Sequence, residues 1–268
     1  MKEKTKLLTF AYLLFLLLFA LSGYLEGILS EAAYYGAFII PTVLALYIGR
    51  ETEGERGLCL TLDKDGAKLL FVAAAPTVGA VWALSYLTAL LIYVTTGVTD
   101  TVDVGDSLPL AIITTALIPS VTEELLFRYL PMRLIAPYSR SRAVWLSAVF
   151  FAVAHMSPFS LVYAFAAGVI FMTVDLAAGS ILPSVILHFV NNLINLIMIF
   201  HPEPQVKIGV IVSLCLLFAL SIPLFLKNRR MIVEKIKSAF TSEETSPVDY
   251  VPLLFIIPAA VVGASILF

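Results

Sequence analysis

Apolar residues fall along the chain in long runs separated by short polar punctuation, a spacing that predicts membrane-crossing helices rather than strands or half-buried surface helices. With about 20 residues needed per span, the pattern predicts helices over 7–29, 32–49, 69–97, 108–130, 142–156, 159–176, 180–200, 205–226 and 250–268. Lipid offers no partners to backbone N–H and C=O groups, so the expected fold class is all-α, a polytopic transmembrane helix bundle. It is read as one integral-membrane domain: helices 1–3 over 1–107, a core over 108–200, and C-terminal helices with an amphipathic linker over 201–268.

Composition supports this reading. The 268 residues are 60% hydrophobic and 13% charged, with a mean hydropathy of +0.98, against about 45–50% and 25% in soluble domains. Nothing in it points to a nucleic-acid partner or a soluble enzyme. Cys59 and Cys215 have neither metal-site spacing nor a disulfide framework and are expected to be inert. Lys2, Lys4 and Lys6 before Leu7–Leu21, with small Ala20 and Ser22, imitate a secretory signal, but no soluble domain follows and the segment is read as the first membrane helix.

Charge sets the expected orientation. Arg50, Arg56, Lys64 and Lys68 follow the second helix, Arg133, Arg140 and Arg142 the fourth, and Lys227, Arg229, Arg230, Lys235 and Lys237 the eighth. These share a side with the N-terminal lysines, while Glu26, Glu31, Asp100, Asp103, Asp106 and Glu203 populate the other, with Lys207 as its cation. The expectation is a cell-membrane protein with a cytoplasmic N-terminus and nine spans. The three aspartates read as a solvated loop rather than a metal site. Residues 227–240 read as a short basic helix on the cytoplasmic surface and 241–249 as a linker. No internal repeat of the kind found in many transporters is visible.

Polar residues inside the apolar runs carry the candidate chemistry. Glu123, Glu124 and Arg128 lie within one span, where a charge costs about 2.5–3.5 kcal/mol and must pair, meet water or react. Residues four apart share a helix face, so Glu124 stacks on Arg128 while Glu123 points elsewhere. Glu124 is the natural ion-pair member and Glu123 the carboxylate left to react; desolvation makes such a carboxylate the stronger base that water activation needs. The alternative is that both glutamates only lock helices around Arg128. Pro119, one turn before Glu123, predicts a bend.

Phe151 and His155 are likewise four apart, in a segment too short to span, with a break at Ser157-Pro158 that must line protein or water. His188 and Asn192 share a stripe with Ser184 and Asn195. That stripe reads either as interhelical hydrogen-bonding or as donors to a developing oxyanion. Counted from the cytoplasmic ends, Glu123 lies about 10 Å deep, His188 about 12 Å and His155 about 17 Å, depths compatible with convergence. Small residues Ala164, Ala166, Ala167, Gly168, Gly179 and Ser180 permit close helix approach.

Glu-Glu-x-x-x-Arg, then Phe-x-x-x-His, then His-x-x-x-Asn over residues 108–200 resemble the CAAX protease and bacteriocin-processing family, intramembrane glutamic endopeptidases related to the Ras-converting enzyme (type II CAAX prenyl endopeptidases). The resemblance implies an eight-helix core, with the ninth helix extra, and a conical cavity open to the cytoplasm. It implies that Glu123 and His155 activate a water, that His188 and Asn192 stabilise the oxyanion, and that Glu124, Arg128 and Phe151 support them. It implies no cofactor and no metal. Partners would be the bilayer and a peptide or lipidated protein: a CAAX-like tail, a peptide precursor or a sorting tail.

A zinc variant using Glu, His and His lacks the His-Glu-x-x-His spacing. Two other classes use the same residues differently: a proton-coupled transporter with a Glu–His relay, and a non-catalytic bacteriocin immunity or scaffold protein binding a peptide in the groove.

Overall fold

The computed structural model describes residues 2–49, 61–97, 105 and 107–240. The helix expected over 250–268, the 241–249 linker, Arg50, Arg56, Cys59 and the three loop aspartates lie outside the described residues. Those described form eight helices: α1 (Lys2–Ser22), α2 (Ile28–Ile48), α3 (Lys64–Thr96), α4 (Leu108–Leu134), α5 (Arg140–Ala154), α6 (Pro158–Ala178), α7 (Leu182–Phe200) and α8 (Pro204–Phe240). All but α5 are long and apolar enough to cross a membrane, and the protein is an all-α integral membrane protein. The 15 residues of α5 rise only about 22 Å, as the sequence predicts.

Three elements differ most from expectation, among them α1, which runs from Lys2 to Ser22 rather than over 7–29. Helix α3 starts at Lys64 rather than 69 because Asp63 caps it, accepting the Gly66 N–H at 2.6 Å. The segments read as a span over 205–226 and a separate basic surface helix are one helix, α8, continuous through Pro223. Its basic end docks on the bundle: Arg140 donates to the Ala239 carbonyl, and Lys235 lies 3.7 Å from Asp65.

These contacts define a basic end of the bundle. There Lys4 donates to the Gly49 carbonyl at 2.9 Å, so the start of α1 and the end of α2 meet. Alternation of the chain then places the ends of α1, α3 and α7 and the starts of α2, α4 and α8 at the opposite end.

Aromatic packing joins α1, α2, α4 and α5. The Tyr12 ring stacks on Phe127 and leans on Phe150 at 4.1 Å between centroids, and Phe15 meets Phe38 and the edge of Phe127. Helices α5 and α6 approach so closely that a Cβ on Gly168 would lie 2.7 Å from the Ala148 Cα, which is why small residues recur there.

Helix α4 carries the structural irregularity. It contains two wide π-turns, Ile112–Leu117 and Leu125–Tyr129, each followed within two residues by a proline. Pro119 has no N–H for the carbonyls one turn back; the Tyr35 hydroxyl donates to Thr114 O at 2.7 Å and the Asn192 amide to Thr115 O at 3.4 Å. Pro131 leaves the Phe127 carbonyl in the same position, and Ser147 of α5 donates to it. Pro119 and Pro131 are therefore each compensated by polar side chains of neighbouring helices, as a lipid environment requires.

Candidate active site

Between its two π-turns α4 presents Glu123 and Glu124 in different directions, as their separation of about 100° on a helix dictates. Glu124 faces inward: its Oε2 lies 3.1 Å from Arg128 Nε, with both side chains inaccessible. The Arg128 guanidinium also lies 3.9 Å over the face of Phe151, a cation–π contact that partly replaces lost hydration. Glu123 keeps 12% of its side-chain surface and lines a cavity of about 1180 Å³.

His188 connects the two glutamates. Its Nδ1 lies 2.8 Å from Glu124 Oε1, so Nδ1 carries the proton and donates, and Nε2 points toward Glu123 Oε2 at 3.9 Å. Glu124 thus has a second partner, 64 positions away in sequence, that helical spacing alone does not reveal.

His155 closes α5 as its C-cap, and the following Met156 has φ of 48°, the left-handed turn that breaks the chain before α6. His155 and Met156 line the cavity, so the break expected beside Ser157-Pro158 borders a space rather than lipid. His155 Nδ1 is 2.8 Å from the Phe151 carbonyl. A carbonyl only accepts, so Nδ1 donates and Nε2 of the neutral ring is the free acceptor. The Phe151 ring meets His155 at 4.7 Å and His188 at 5.7 Å, both edge-to-face, and so wedges between the two imidazoles and Arg128.

Asn192 and Asn195 line the same cavity one and two turns beyond His188. Asn192 spends one amide proton on Thr115 O and accepts from Asn191 at 3.4 Å, which leaves the other proton for a ligand. Ser184 does not join this lining. It is buried at the start of α7, where its backbone N–H donates to Asp175 Oδ1 at 2.9 Å.

The sequence reading omitted two buried residues. Asp175, inaccessible in the middle of an apolar run, caps α7 through Ser184; an acid in a membrane span was the signal for it. Ser147, also inaccessible, had none, because a lone serine in an apolar run reads as packing. Among the described residues no three His, Cys, Asp or Glu side chains are placed to hold a metal ion.

A cavity with polar groups on its wall is present, but its position separates two expectations. Its wall climbs from Glu123 through Pro119, Thr115 and Thr114 to Leu110 and Ser107, and includes Ser22, Ser30 and Ile199. These lie toward the end opposite the basic one. The mouth and the N-terminus are therefore at opposite ends, and a cytoplasmic N-terminus is incompatible with a cytoplasmic mouth.

A helical membrane bundle that brings one carboxylate, two oriented histidines and an amide to one cavity, with a second carboxylate buried behind them, has the groups of an intramembrane hydrolase. Residues 105–194, about a third of the chain, match the family model described as "Type II CAAX prenyl endopeptidase Rce1-like". That match supports placing this segment in the CAAX protease and bacteriocin-processing family, at family level a CAAX-type intramembrane protease. No curated protein and no solved structure matches it.

Proposed function

We propose that the protein is a glutamic intramembrane endopeptidase that cleaves a peptide bond of a membrane-associated protein or peptide. The observation that carries this reading is the division of two adjacent carboxylates. Glu124 is committed to Arg128 and His188, and Glu123 is left facing the cavity.

In this mechanism the Glu123 carboxylate takes a proton from a water whose oxygen attacks the scissile carbonyl carbon, with His155 Nε2 accepting the water's other hydrogen bond. The carbonyl π-pair moves onto oxygen, and the remaining Asn192 amide proton and His188, when its Nε2 is also protonated, donate to that oxyanion. Collapse of the tetrahedral intermediate breaks the C–N bond, and Glu123 returns its proton to the leaving nitrogen. Glu124 fixes the His188 ring, and Phe151 spaces the rings. No metal takes part in this scheme, which predicts activity in the presence of chelators.

Quantitative terminal proteomics on membranes from cells expressing the wild type or Glu123→Gln at equal levels tests the reading. Peptide termini found only with the wild type are expected. Identical termini in the two samples, with both proteins folded, would overturn it and move the reading to proton-coupled transport or peptide binding.

A further inference from the structure

Charge distribution and cavity position together bear on which side of the membrane supplies the substrate. Among the described residues every lysine and arginine except Arg128 and Lys207 lies in the segments that meet at the basic end: the start of α1, the start of α3, the α4–α5 junction, and the C-terminal part of α8. The contacts of Lys4 with Gly49 and of Lys235 with Asp65 confirm that these segments come together. Arg128 is sealed in the core, so among the described residues Lys207 is the sole lysine or arginine at the opposite end, with Glu26, Glu31 and Glu203 in or beside the short connections there.

These connections are short enough for the lysine–arginine bias to govern insertion. A bias this one-sided assigns the basic end to the cytoplasm. The cavity wall, through Glu31, Ser85, Ser107 and Ile199, opens at the other end.

We infer that the cavity opens to the extracytoplasmic side, and that the substrate is a peptide segment presented there, a tail, loop or released precursor at the outer face, rather than a lipidated tail in the cytoplasm. The substrate half of this inference rests on the protease reading above; the orientation half does not. At about 1180 Å³ the cavity exceeds the roughly 300–1,000 Å³ that suits a drug-sized molecule and has room for several residues of extended chain.

Single-cysteine variants of the full chain, made with Cys59→Ser and Cys215→Ser, test the inference in spheroplasts with a membrane-impermeant maleimide. Ser85→Cys on the cavity wall and Glu26→Cys at the mouth end are expected to label on intact spheroplasts. Lys68→Cys at the basic end is expected to label only after permeabilisation. Labelling of Lys68→Cys on intact spheroplasts, with Ser85→Cys and Glu26→Cys reached only after permeabilisation, would overturn it. The labelling needs no hydrolysis, so it stands or falls separately from the enzyme. Glu123-dependent termini confined to cytoplasmic segments would leave a protease in place and reject this substrate class; termini in extracytoplasmic segments support it.

Discussion

His188 donates through Nδ1 to Glu124 at 2.8 Å, which turns its other ring nitrogen to the cavity and makes a carboxylate outside the cavity the residue that aims a histidine inside it. Glu124 is therefore structural and positioning at once, because the same carboxylate neutralises Arg128.

The two glutamates are expected to fail differently. Glu123→Gln should leave thermal unfolding in detergent nearly unchanged and lower cleavage by about 10²–10⁴-fold, the range for a lost general base. Glu124→Ala strands a fully buried guanidinium, a change that costs about 3–5 kcal/mol in buried pairs, and should lower the unfolding temperature sharply as well as activity. Equal destabilisation by the two variants would contradict the division of roles.

Ser147 is expected to matter because of Pro131. Its hydroxyl serves the Phe127 carbonyl that the proline cannot. Ser147→Ala should cost about 1 kcal/mol, the worth of one such bond in a membrane interior. Pro131→Ala returns an amide N–H one turn downstream of that carbonyl, so the Ser147→Ala penalty should shrink in a Pro131→Ala background. A double-mutant cycle on detergent unfolding measures it; strictly additive penalties would show that the two are not coupled.

What the sequence discloses about this site follows the range of each interaction. The Glu124–Arg128 pair and the shared face of His188 and Asn192 are four-residue relations within one helix and were legible as such. The His188–Glu124 bond and the Ser147–Phe127 bond join different helices and have no local signature. The π-turns of α4 were invisible because their wider register leaves no apolar period of its own; Pro119 marked only that something must yield nearby. The expected boundary between 226 and 227 is the opposite error, since α8 continues to Phe240 and its basic segment is held by Asp65 and Arg140.

Asp175 is expected to act as the cap that seats α7, and through it His188 and Asn192. Its Oδ1 accepts from the Ser184 N–H, while among the described residues Oδ2 has no hydrogen-bond partner. Asp175→Asn keeps the acceptor and should retain most stability and activity. Asp175→Ala removes the cap, at about 0.5–2 kcal/mol for lost caps, and should weaken substrate turnover together with stability. If Asn proved as damaging as Ala, the carboxylate would have a role beyond accepting that one bond.

Gly168 sets the distance between α5, which ends at His155, and α6, which begins after the break. Its position against Ala148 leaves no room for a methyl group: the added carbon would sit 2.7 Å from a backbone atom, which cannot rotate away as a side chain can. Gly168→Ala must therefore push the two helices apart, and overpacking of this kind costs about 1–3 kcal/mol. The displacement is not confined to the contact. Phe151 lies three residues beyond Ala148 on α5 and orients both imidazoles and Arg128. Gly168→Ala is thus expected to lower activity by more than its unfolding shift accounts for at a temperature where the protein remains folded. Replacing Ala148 by Gly in the same chain should recover part of both, because it removes the Ala148 Cβ, 3.0 Å from the new methyl. Recovery of stability without activity would separate packing from alignment and show that the geometry of α5 is set elsewhere.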